Sequence, residues 1–180
     1  MDADERIELK VKPVEQEFTF NCGSAALSMI LSYQYGLDLT QRELNLLMGI
    51  TPDGASEHHF IRALKTLGFH YEESSKGTRQ KLRDFLRQGR APMVHVVLSD
   101  GGGHYLTVTG IDDSNIWLAD PRTGTIIQYG MSFFLGVWKE EANDNSSPWY
   151  LVVHGYSAHN IDKLINKFKK IKTKVERARK

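Results

Sequence analysis

One cysteine, Cys22, stands among the 180 residues. A lone thiol excludes an intramolecular disulfide and a zinc site assembled from cysteines, and it favours a reducing compartment. No run approaches the roughly eighteen consecutive apolar residues of a transmembrane helix. The first ten residues, MDADERIELK, are charged where a signal peptide needs an apolar core. A cytoplasmic location is the expectation from these absences. No internal repeat is visible, nor any P-loop pattern. Net charge is nearly absent too, at +1, but it is unevenly spread. Residues 158–180 carry nine Lys/Arg against two Asp/Glu, whereas residues 1–157 carry 14 against 20.

What is present suffices for one buried core without disulfides: 41% hydrophobic and 25% charged residues in a chain of one-domain length. The first half has helical periodicity. Ala25, Ala26, Met29, Ile30 and Tyr33 fall at three- and four-residue spacing, which predicts a helix from Cys22 to Tyr35 that stops at Gly36. Thr40-Gln41-Arg42-Glu43 is a capping box, so a second helix covers 41–48. Ser56 caps a third over 57–67, with Phe60, Ile61, Leu64 and Leu67 as its apolar stripe. Thr78 caps a fourth over 79–88.

After Pro92 the period shortens. Strands are expected at 93–98, 104–111, 115–119, 125–129 and 149–153, with a short helix over 131–138. Helices followed by hairpin-linked strands imply an α+β fold, the helical first half packing on an antiparallel sheet. The expected division is a domain over 1–157 and a basic amphipathic helix over 158–180. In the latter, Ile161, Leu164, Ile165, Phe168, Ile171 and Val175 share one face. Such a helix can lie on the domain, on an anionic membrane surface, acidic partner or nucleic acid, or against a second protomer.

Four residues are candidates for chemistry. Cys22 begins the first helix, where unpaired N–H groups and the helix dipole stabilise a thiolate. A buried structural cysteine is the competing reading. Gln16, six residues earlier, offers a side-chain amide that can join the Cys22 N–H in an oxyanion hole. His104 follows three glycines that leave room beside its ring, and histidine has the pKa of a base for a thiol. His58, His59, His70, His95, His154 and His159 compete for that role. Asp120 can orient the imidazole, although Asp-Pro-x-x-Gly is also turn chemistry. Pairing Ile111 with Ile116 would set His104 across from Thr123, on the wrong face for Asp120. A bulge near Gly110 would restore the parity.

In order, Gln-x5-Cys-Gly at 16–23, His104 and Asp120-Pro121 resemble the bacteriocin-processing cysteine peptidases of the papain-like superfamily. The resemblance runs over about residues 10–140. It includes Asn-Cys-Gly-Ser-Ala-Ala-Leu at 21–27, Gly-His-Tyr-Leu-Thr-Val-Thr-Gly-Ile at 103–111 and Trp-Leu-Ala-Asp-Pro-Arg-Thr-Gly at 117–124. Where the family often has Asp before the Cys and Pro two after it, this chain has Asn21 and Ser24.

The resemblance implies a papain-like fold and cleavage of a peptide or protein substrate, after Gly-Gly in a leader. Cys22 would be the nucleophile, His104 the base, Asp120 its orienter and Gln16 the oxyanion donor. It calls for no cofactor, and a separate exporter would be the partner. Other acyl transfers on the same scaffold (transpeptidation, deamidation or amide synthesis) and a non-catalytic leader-binding module remain alternatives.

Overall fold

A computed structural model describes residues 5–139 and 147–156, with the isolated positions 166, 170, 173, 176 and 177. Apart from those five positions, the expected basic helix lies outside the described residues.

Helix α1, Cys22–Tyr35, is the centre of the molecule. Every residue from Gly23 to Leu31 is buried, so it is covered on all sides and not along one stripe. Gly36 ends it in the left-handed conformation at φ 61°, returning its N–H to Leu31 and Ser32 carbonyls. Helix α2, Gln41–Met48, starts on the full Thr40/Glu43 capping box, and α3 spans Glu57–Leu67. Helix α4 is Arg79–Arg87, one residue shorter than the pattern implies, and α5 is Met131–Val137.

Among the described residues, seven strands form one antiparallel sheet: β1 Ile7–Glu8, β2 Phe69–Ser74, β3 Met93–Val97, β4 Gly103–Ile111, β5 Asn115–Asp120, β6 Thr125–Gly130 and β7 Tyr150–Tyr156. Their order is β2-β7-β3-β4-β5-β6, and β1 pairs with the far end of β4. The last strand therefore enters the sheet between β2 and β3. Strands β1 and β2 were not expected. The first is a two-residue pairing. The second, Phe-His-Tyr-Glu-Glu-Ser, is an edge strand whose pattern reads as partly exposed along most of its length.

The sheet separates two cores. One face packs on α1, α2 and α3 through Ala26, Ile30, Leu44, Phe60, Leu64 and Trp149. The other packs on α4 and α5 through Leu82, Phe85, Leu106, Leu118, Phe134 and Trp138. Strand β4 is buried at every position after Gly103, the polar His104, Thr107 and Thr109 included.

Phe60 anchors the first core close to the start of α1. It is fully buried, lies edge-on to Tyr105 at 4.8 Å between ring centroids, and comes so near Gly23 that a Cβ there would meet it at 2.8 Å. Phe60→Ala is expected to destabilise the fold by ~3–5 kcal/mol through lost transfer energy and a residual cavity. Denaturant unfolding of the two proteins measures the difference.

Candidate active site

Cys22 is the first residue of α1, partly exposed at the rim of the fold. Its neighbour across the cleft is His104, which β4 delivers at its second residue. The thiol and the imidazole are hydrogen-bonded to each other. The other face of that ring is taken by Asp120: Nε2 lies 2.7 Å from Asp120 Oδ1. With Nε2 engaged by the carboxylate, Nδ1 is the nitrogen left for the thiol.

The register of β4 and β5 explains how His104 and Asp120 meet. Ile111 does pair with Ile116, but the pairing slips between Val108 and Gly110, so that Val108 faces Leu118 and Thr107 faces Ala119. Thr109 is the extra residue. Continuing that register sets His104 opposite Arg122 instead of Thr123. His104 and Asp120 then become diagonal neighbours on one face of the sheet. Asp120 is held in turn by the Arg122 N–H, 2.8 Å from Oδ1, and its carbonyl accepts from Gly124 N at 2.9 Å. The Asp-Pro-x-x-Gly segment is thus a turn that also aims a carboxylate.

The charges of the three groups support one another. Burial alone would raise the Cys22 thiol. The hydrogen bond to His104, the Tyr105 and Gly23 backbone N–H groups and the His104 charge outweigh it and hold the thiol below its ordinary value. Burial alone would lower His104, yet its hydrogen bonds to Asp120 and Cys22, and their negative charges, push it up. Asp120 is desolvated, which raises it, but the bonds from His104 and Arg122 N–H bring it below the usual carboxylate range. All three shifts favour a thiolate, an imidazolium and a carboxylate in a row.

Gln16 stands differently. Its Nε2 donates to Phe18 O at 2.8 Å, which uses one of two amide hydrogens, and its backbone N–H donates to Pro121 O at 2.7 Å. The structure ties Gln16 to the turn beside Asp120, and its side-chain bond is to the Phe18 carbonyl, not to Cys22. Thr19 and Phe20 join the two places. They line both a cleft over Gln16 and a cleft of about 360 Å³ over Cys22. The latter continues past Tyr105 and His95 toward His58 and Trp149. The result is a track open on both sides of the thiol.

The competing histidines have other partners. His154 sits between Arg90 and Glu72, His58 and His59 lie beside Ser56, and His95 bonds to Lys139 O at 2.9 Å while packing on Tyr105. His70 lies on the edge strand β2, and His159 is outside the described residues. Among the described residues no cluster of His, Cys, Asp or Glu is arranged to hold a metal ion, and no helix is long and apolar enough to cross a membrane.

Residues 10–142 match the family profile described as the Peptidase C39 family. The chain belongs to the Peptidase C39 family. An uncharacterised protein of Methanothermobacter marburgensis is 32% identical over 115 residues, covering 63% of this chain and 73% of that one. The Lactococcin-A transport/processing ATP-binding protein LcnC of Lactococcus lactis is 30% identical over 119 residues, 66% of this chain but 16% of the transporter. Among solved structures, a double glycine motif protease from an AMS/PCAT transporter, in complex with the leader peptide, shares the fold. It superposes with a TM-score of 0.63 at 19% identity, covering 82% of this chain and 94% of that one. The C39 fold here includes β7, at residues 150–156, beyond the matched segment.

Sequence reasoning missed the supports behind these groups. Buried Asn21 and Gln41 and half-buried Asn45 form a polar chain under the start of α1, with Asn45 Nδ2 donating to Asn21 Oδ1 at 3.0 Å and Asn21 Nδ2 donating to Gln41 Oε1 at 3.3 Å. The one available signal was a glutamine inside a capping box, at a position that the packing of α2 buries.

Proposed function

We propose that the chain is a thiol peptidase. Cys22 is the nucleophile, His104 its base, Asp120 the group that orients the imidazole, and Gln16 with the Cys22 N–H the oxyanion donors. The observation that carries this reading is the hydrogen-bonded row Cys22–His104–Asp120 at the start of a helix, open to a cleft on both sides. The Cys22 proton passes to His104 Nδ1, and the thiolate attacks the peptide carbonyl carbon. The C–N bond breaks as His104 protonates the leaving amine, and water then hydrolyses the thioester.

The substrate class is a precursor peptide cut after Gly-Gly, and an exporter is its partner in secretion. The support is that LcnC is named for both transport and processing, and that the superposed protease is named for the double glycine motif. The test is digestion of a synthetic precursor with a Gly-Gly leader, followed by mass spectrometry. Cleavage after the second Gly with one water added is expected. Cleavage elsewhere, or a product carrying an added amine, would move the assignment to another specificity or to acyl transfer.

The lowered Cys22 and raised His104 fix the pH behaviour. Thiolate appears as pH rises through the lowered Cys22 value, and imidazolium is lost as pH rises through the raised His104 value. Between the two the ion pair dominates, so kcat/KM is bell-shaped. At pH 6, iodoacetamide should alkylate Cys22 faster than a free thiol of pKa about 8.5. Equal rates would contradict the ion pair.

A further inference from the structure

The segment that carries Gln16 is held by one side chain of α2. Gln41 is the first residue of that helix and is 5% exposed. Its Nε2 donates to Glu15 O at 2.7 Å, and its Oε1 accepts from Glu17 N at 2.9 Å. Gln41 thus grips the carbonyl before Gln16 and the N–H after it. The same Oε1 accepts from Asn21 Nδ2, and Asn21 is a fully buried residue that immediately precedes Cys22. A carboxamide buried in this way must be matched by hydrogen bonds to be tolerated. Three of its four capacities are matched, all on the two short segments that present Gln16 and Cys22.

On its other side the Gln16 segment leans on the β5–β6 turn. Besides the Gln16 N–H to Pro121 bond, Gly124 lies against Glu15, where an added Cβ would stand 3.0 Å from the Glu15 Cβ. Gln41 is the link that runs from this segment directly to the start of α1. Without it, the spacing between the Gln16 amide and the Cys22 N–H is left to the exposed loop through Phe18 and Thr19.

We propose that Gln41 is a positioning residue for the oxyanion site. It acts through Gln16 by setting that side chain's place relative to Cys22, an inference that rests on the reading of Gln16 as an oxyanion donor. When the thiolate forms the C–S bond, the carbonyl electron pair moves onto oxygen. Only donors already within hydrogen-bond reach of that oxygen stabilise it. A displacement of about 1 Å in such a donor can cost ~100-fold in rate.

The test compares two reactions of the same thiol. p-Nitrophenyl acetate acylates Cys22 through a tetrahedral oxyanion and expels p-nitrophenolate. Iodoacetamide alkylates Cys22 by displacing iodide from carbon and forms no oxyanion. The ratio of the two rates isolates oxyanion stabilisation and does not depend on peptide specificity. Gln16→Ala is expected to lower the ratio about a hundredfold, and Gln41→Ala about tenfold or more, with alkylation unchanged in both. The double variant should fall no further than Gln16→Ala. Gln41→Glu keeps the oxygen that holds Glu17 and Asn21, and should recover part of the loss.

An unchanged ratio in Gln16→Ala overturns the oxyanion reading of Gln16, and the inference with it. A reduced ratio in Gln16→Ala, with Gln41→Ala either unchanged or adding its full effect in the double variant, overturns the role of Gln41 alone. So does a parallel fall in alkylation, which would mark general damage. Should Gln41→Ala fail to fold by thermal melting, the same cycle with Gln41→Glu is judged by the same criteria.

Discussion

Cys22→Ala is expected to bring peptide hydrolysis to background, a loss on the order of 10⁵–10⁶ in kcat, because the covalent route disappears with the sulfur. His104→Ala should fall nearly as far, since a thiol without its partner loses both the base and the charge that lowers it. The double variant should be hardly worse than either single one, the signature of groups that act as a unit. Cys22 is a small, partly exposed residue, so the alanine variant should melt close to the parent. Precursor digestion by the purified variants, read by mass spectrometry, measures all three. Activity within tenfold of the parent in Cys22→Ala would remove the thiol from the mechanism altogether.

The second large effect belongs to Asp120. Its oxygen 2.7 Å from His104 Nε2 does two things: it fixes the ring, and it supplies negative charge. Asparagine keeps an acceptor oxygen and removes the charge, and papain-like enzymes can use an Asn in this role. Asp120→Ala is therefore expected to cost between ~10² and ~10⁴ in kcat, and Asp120→Asn to recover most of it. The sign of the pH change follows from the raised His104. Although burial is the largest influence and lowers it, the Asp120 hydrogen bond heads the opposing ones. Removing the carboxylate charge lets His104 fall, so the alkaline limb of the profile moves to lower pH in Asp120→Asn. Equal losses in the two variants would show that charge, not orientation, is the contribution that matters.

Much of this architecture is legible in the chain because local chemistry specifies it. Helix starts at Cys22, Gln41, Glu57 and Arg79 follow their caps or the apolar period, and α1, α2 and α3 end at residues 35, 48 and 67 just before glycines in the left-handed conformation. Strand β4 reads as a strand from its β-branched and aromatic residues between two turn segments. What local pattern cannot carry is contact at a distance. Strand β2 is made by pairing with β7, some eighty residues later, and its own Glu72-Glu73 pair hides it. The bulge at Thr109 was needed by geometry and not visible in composition, since Thr-Val-Thr suits a regular strand equally well. Gln41 reaches the Gln16 segment across 24 to 26 residues, and nothing near residue 41 points there.

The slip at Thr109 also divides the chain around the candidate site into tolerant and intolerant stretches. His104 and Asp120 are joined by two strand segments and the Asp112–Ser114 turn. Residues added to that turn lengthen the connection and leave both side chains on their shared face. One residue added or removed between His104 and Gly110 reverses a face, and the imidazole turns away from the carboxylate although every chemical group is still present. For anyone inserting a label or a tag, the turn preserves the register at the cost of the Asp113 pairs with Arg79 and Arg83, and the preceding strand admits changes only in steps of two.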